Sequence, residues 1–143
     1  IAACGLSDHV TLHGPLDFEG GWIPTLKEKI DLFVCCHVQG DPSGTYPEVL
    51  SCGVPIVGYD NEALRGVVAR SGGGWATPMH DVDALADKIA ELDRDRINII
   101  TAAEAGRSFG RMHTFEPTMD RRAAHLVQAS RLSPARKAQA VSA

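Results

Sequence analysis

The sequence has no apolar run long enough to cross a membrane. The longest, around Ile30 to Cys36, is broken by Asp31, whereas a spanning helix needs about 20 apolar residues. It has no positively charged leader followed by an apolar stretch, so no secretory signal is expected, although the chain opens on Ile1 rather than Met. Its Lys and Arg residues are scattered, and the formal net charge is −4. That balance argues against a nucleic-acid groove, which needs clustered cations. Cys4, Cys35, Cys36 and Cys52 contain no Cys-x-x-Cys pair. They read as free thiols rather than a redox or zinc site, and this fits a cytoplasmic protein. There are no internal repeats and no low-complexity blocks.

What is present is enough for one domain. The chain has 143 residues, 44% hydrophobic and 22% charged, an ordinary balance for a globular fold with a core. Val10-Thr11-Leu12-His13-Gly14 alternates and ends at Gly14-Pro15, which predicts a strand and then a loop. Trp22, Ile23, Leu26 and Ile30 recur at helical spacing. Asp31-Leu32-Phe33-Val34-Cys35-Cys36 and Pro55-Ile56-Val57-Gly58-Tyr59 are continuous apolar runs, as expected of strands buried on both faces. Between them, residues 37–44 form a loop and residues 46–52 a short helix stopped by Gly53. A helix over 61–70, capped by Asp60 or Asn61, leads through Gly72-Gly73-Gly74 to a strand at Trp75-Ala76-Thr77. Three further helices are expected, over 83–92, 97–111 and 115–131. The last would carry Phe115, Met119, Leu126 and Val127 on one side. The tail, 133–143, is polar and Ala-rich and is expected to fray, leaving residues 1–132 as the domain.

Strands alternating with helices predict an α/β fold, a Rossmann-like parallel sheet with flanking helices. Ligands of such sheets sit beyond the carboxyl ends of the strands. The loop after Cys36 carries the densest chemistry. Gly40 and Gly44 let backbone approach a ligand closely, and free N–H groups where the next helix begins favour an anion. Glu48 in its first turn can accept two hydrogen bonds from a ribose diol. Thr45-Tyr46-Pro47-Glu48 is equally a Thr-x-x-Glu capping box, in which Glu48 only reaches back to the Thr45 amide. His37, Gln39 and Asp41 suggest a metal triad weakly, because their spacing fixes no geometry.

The order Asp31-Leu32-Phe33-Val34, then Glu48-Val49-Leu50-Ser51-Cys52-Gly53-Val54-Pro55-Ile56-Val57, resembles the second domain of retaining glycosyltransferases of group 1. These enzymes are built from two facing Rossmann-like domains, the GT-B fold. Val10 to Gly14 resembles the family's V-x-f-x-G strand. Gly74-Trp75-Ala76-Thr77-Pro78, with Asp81 and the amphipathic helix after it, resembles a later segment. The four pieces run in register from about Leu6 to Phe115. The resemblance implies that Glu48 binds the donor ribose, as the second glutamate of a Glu–seven residues–Glu motif. The first glutamate falls on Gly40, a departure, and Asp41 is the nearest carboxylate to replace it. Ser43, Gly44 and Thr45 are implied to approach the donor sugar and phosphate, and Gly14, Pro15 and Leu16 the nucleobase.

The implied reaction is transfer of a sugar from a UDP-, GDP- or ADP-sugar to a hydroxyl acceptor, with no metal and no cofactor. No catalytic base or nucleophile stands out. Nothing before Val10 resembles the family's first strands, whose Gly-Arg end and following Lys hold the diphosphate, nor is there an acceptor-binding domain. The chain is therefore expected to be the donor-binding half, lacking its first strands and inactive alone. Residues 10–14 and 31–36 would then be left without neighbours, able to pair with each other or with a second copy. Two other readings fit the same architecture: a sugar-nucleotide epimerase, and a non-catalytic nucleotide-binding module of flavodoxin type.

Overall fold

A computed structural model describes residues 1–40 and 44–131. Three strands, β1 (Phe33–Cys35), β2 (Ile56–Tyr59) and β3 (Gly74–Thr77), form one parallel sheet in that order. Val34 lies opposite Val57, and Val57 opposite Trp75. Parallel neighbours cannot be joined by a tight turn. Helix α2 (Thr45–Ser51) makes the first crossover and α3 (Glu62–Ser71) the second. Before the sheet, a π-helical turn at Phe18–Trp22 runs into α1 (Ile23–Lys29). After it come α4 (Val82–Arg94), α5 (Ile97–Met112) and α6 (Phe115–Ser130). The α/β class and the flanking helices are as expected, and each expected helix after residue 44 is found within two residues of its ends.

The sheet separates two apolar layers because alternate strand residues face opposite sides. Ile56 joins Leu26, Tyr46, Val49, Leu50, Leu64 and Phe109 on one side. Val57 and Tyr59 join Leu85 on the other, with Trp75 and Ile89 against them. All four residues of β2 are buried, as its unbroken apolar run requires. The α2–α5 contact is very close. Gly106 and Gly110 of α5 are buried, a Cβ on Gly73 would lie 2.9 Å from Gly106 Cα, and one on Gly110 would lie 2.9 Å from Ser51 Cα. Asn61 caps α3 through Oδ1, which accepts from Leu64 N at 2.8 Å, and Asp81 caps α4 by accepting from Ala84 N at 2.9 Å.

Three expectations need correction. Residues 10–14 form no strand: they are exposed, Leu12 at 82%. A strand is held by its ladder, and no described segment pairs with this one, β1 included. The capping box is not made either. The helix starts at Thr45, so Gly44 is the N-cap and no side chain caps it. Finally, β1 is not buried on both faces: Val34 is 44% exposed. Helix α6 is present as expected but buries none of its residues, with Phe115 and Leu126 more than two-thirds exposed. The expected tail at 133–143 lies outside the described residues.

Candidate functional site

The carboxyl ends of the strands carry the loop from His37 to Gly44. Asp41 and Ser43, two of the expected ligand contacts, lie outside the described residues. Gly44 and Glu48 are brought together: a Cβ on Gly44 would stand 3.5 Å from Glu48 Oε1, so the carboxylate folds back over the glycine. Here glycine gives the close approach that its lack of a side chain permits. Both residues line a cleft of about 860 Å³, whose walls include Lys27 of α1, Ser51 of α2 and Arg122 of α6. Lys27 and Arg122 add two cations to the lining that also holds the Glu48 carboxylate. Thr45 is half-buried beside them. Burial pushes the neighbouring Cys52 thiol up, with Lys27 acting against that shift.

Gly14 and Leu16 do not reach this cleft. They line a separate, largely apolar one of about 320 Å³, with Trp22, Leu26, Ile30 and Phe33. Helix α1 stands between the two, giving Ile23 and Lys27 to one cleft and Leu26 to the other. Gly14 adopts a φ of 64°, the left-handed turn that favours glycine, and Pro15 is exposed beside it.

Beneath the loop lies a polar cluster whose members are far apart in sequence. The Tyr46 hydroxyl, on α2, is approached by Cys35 Sγ at 3.6 Å, Asn61 Nδ2 at 3.4 Å and His37 Nδ1 at 3.2 Å. Asn61 also donates to the His37 carbonyl at 3.0 Å. Tyr46 is 1% and Asn61 2% exposed, so each of these groups needs its partner. Desolvation raises the pKa of both the Cys35 thiol and the Tyr46 hydroxyl, so each keeps its hydrogen. Sequence reasoning weighed His37 only as a metal ligand and Asn61 only as a cap. No spacing signal joins them to Tyr46. Among the described residues, no group of three His, Cys, Asp or Glu is placed to hold a metal ion.

A parallel sheet with crossover helices defines a Rossmann-like domain. The chain belongs to the glycosyl transferases group 1 family, which it matches over residues 1–95. It is 28% identical over 113 residues to a GDP-mannose-dependent alpha-(1-6)-phosphatidylinositol monomannoside mannosyltransferase of Mycobacterium tuberculosis, covering 74% of this chain and 29% of that protein. It is 26% identical over 106 residues to a 2-deoxystreptamine N-acetyl-D-glucosaminyltransferase of Streptomyces fradiae, covering 71% and 25% respectively. The chain thus spans less than a third of the length of either relative. Its fold superposes on sucrose-phosphate synthase of Thermosynechococcus elongatus with a TM-score of 0.74, at 22% identity, over 89% of this chain and 31% of that one. The GT-B-type Rossmann-like domain is therefore the fold. No helix among the described residues is long and apolar enough to cross a membrane.

Proposed function

We propose that this domain binds the nucleotide sugar for a retaining glycosyltransferase, which transfers the sugar to a hydroxyl acceptor held by a second, N-terminal domain. The observation that carries this reading is the Glu48 carboxylate folded over Gly44 at the start of α2, in a cleft with Lys27 and Arg122. A carboxylate there accepts both ribose hydroxyls, and the cations balance the diphosphate whose charge grows as the bond to the sugar breaks. Gly44 and Thr45, with Asp41 and Ser43 of the adjoining loop, are assigned to the sugar and phosphate. The resemblance gives the base to Gly14, Pro15 and Leu16, but Gly14 and Leu16 line the cleft across α1 from Glu48, so they are not assigned to the nucleotide in this reading. Family membership favours transfer over the epimerase and flavodoxin-type readings. One relative is named for GDP-mannose, so GDP-mannose stands beside UDP- and ADP-sugars as a donor to try.

The test is Glu48→Gln in the complete enzyme. The amide keeps the size and loses the charged acceptor, so donor affinity should fall by about 1.5–3 kcal/mol. Unchanged affinity in a folded variant would remove the reading. We assign no metal to the reaction, since Mg²⁺ at such sites takes clustered carboxylates together with substrate phosphates. Transfer that stops in EDTA and returns with added Mg²⁺ counters that assignment. The free thiols of Cys35 and Cys52 support a cytoplasmic setting. The domain alone is assigned no transfer activity, because in this reading the acceptor is held by the second domain. The free edge of β1 is the place where a second copy would pair, which light scattering of the purified chain checks.

A further inference from the structure

Hydrogen counting in the cluster under the loop assigns a role to His37. Asn61 Oδ1 accepts the Leu64 amide, which fixes the amide orientation and leaves Nδ2 with two hydrogens. One goes to the His37 carbonyl and the other to the Tyr46 oxygen. The Cys35 thiol donates to the same oxygen. A phenolic oxygen has two lone pairs and one hydrogen. With the Cys35 thiol as donor, the Tyr46 hydrogen goes to His37 Nδ1 at 3.2 Å; with Tyr46 donating to Cys35 Sγ instead, Nδ1–H would donate to Tyr46, and the ring spectrum tells the two apart. In the first arrangement Nδ1 is an acceptor, and the ring's hydrogen sits on Nε2, at the edge turned away from Tyr46. His37 is exposed, and Nε2 has no partner among the described residues. It stands just past the carboxyl end of β1, where the loop towards α2 begins.

We propose that His37 is a donor-binding residue: its Nε2–H, locked in that tautomer by Tyr46 and Asn61, donates a hydrogen bond to a phosphate or sugar oxygen of the nucleotide sugar. Tyr46 and Asn61 are positioning residues that act through it. This rests on the donor-binding reading above, but its first half is readable without any ligand. In the free chain, ¹⁵N spectra of the His37 ring should show the Nε2–H form alone, and Tyr46→Phe should let the Nδ1–H form appear. A ring spectrum identical in the two proteins overturns the lock, whatever the chain binds. The second half is read by titrating the chain with GDP-mannose, a UDP-sugar and an ADP-sugar. His37→Ala should weaken the best of them about tenfold, the size of one hydrogen bond to a charged group. His37→Gln, whose amide N–H reaches a similar position, should recover most of the loss. If Glu48→Gln weakens binding and His37→Ala does not, this inference fails and the donor-binding reading stands. If no nucleotide sugar binds the unaltered chain, both fail.

Discussion

Helices α5 and α6 are each 16 residues long, yet they end in opposite situations. α5 buries Ala102, Gly106, Phe109 and Gly110, while α6 buries nothing. The difference lies less in how apolar the faces are than in what they meet. The buried stripe of α5 is mostly small, so its backbone comes against Gly73 and Ser51, and Leu50 of α2 fills the space between. Such contact brings many dispersion partners within range, each weak and together large. α6 carries Phe115, Leu126 and Val127, which are larger and more apolar, and leaves each at least half exposed. Periodicity announces a face, but only a shape-matched neighbour makes it part of the core.

The strongest break of this contrast is Leu50→Ala. Leu50 is fully buried, and hypothetical Cβ atoms on both Gly73 and Gly106 would run into its Cδ2. Removing it leaves a hole between α2, α5 and the β3 turn, and unfolding free energy should drop by about 2–5 kcal/mol. A denaturant midpoint close to that of the parent would show that the seam can collapse and is not the centre of the fold. Next in size is Gly110→Ala. Alanine is favoured over glycine in a helix by about 1 kcal/mol. Here its Cβ would sit 2.9 Å from Ser51 Cα, a backbone atom that cannot swing aside. Overpacking costs of about 1–3 kcal/mol should outweigh that gain, giving a net loss of up to about 2 kcal/mol. Gly66→Ala in α3 is the matching control. The atoms nearest its Cβ would be those of the Arg70 guanidinium, at 3.3 Å and beyond, a flexible group that can move. That change should stabilise. The same sign for both substitutions breaks the account of the seam.

The same contrast explains what could be read in advance. From Leu32 onward, most strands and helices were legible from their apolar runs: Ile56, Val57 and Tyr59 lie inside, and so do Leu85 and Leu92 of the α4 stripe, whereas β1, read as buried on both faces, leaves Val34 44% exposed. The family resemblance carried by Glu48 to Val57 was legible too, because consecutive residues spell it out, and the match over residues 1–95 agrees with it. The alternation at Val10 and Leu12 misled, since a strand pattern says nothing about whether a neighbour exists to complete its ladder. The Thr45–Glu48 capping box misled by one residue, because Gly44 already takes the cap position. The cluster of Cys35, His37, Tyr46 and Asn61 was not legible at all. Its bonds join residues 9 to 24 positions apart, and no local spacing encodes them.

The smallest expected effect is on α6, and it tests the other side of the comparison. Leu126 is 73% exposed on a helix with no buried residue. Most of the water that would cover its side chain in the unfolded chain covers it here as well, so Leu126→Ala removes little burial. Alanine's better helix propensity, worth a few tenths of a kcal/mol, offsets part of that loss. Unfolding of the 143-residue chain should therefore shift by less than about 0.5 kcal/mol, the usual range for exposed positions. Measuring both variants at two protein concentrations makes the result decisive. For a monomer, neither midpoint moves with concentration and Leu50→Ala remains several-fold more damaging than Leu126→Ala. If Leu126→Ala costs as much as Leu50→Ala, and only at high concentration, then α6 is covered by a second copy and its exposure belongs to the single chain alone. If it costs as much at every concentration, α6 packs within the chain, and the division between a matched helix and an unmatched one is wrong.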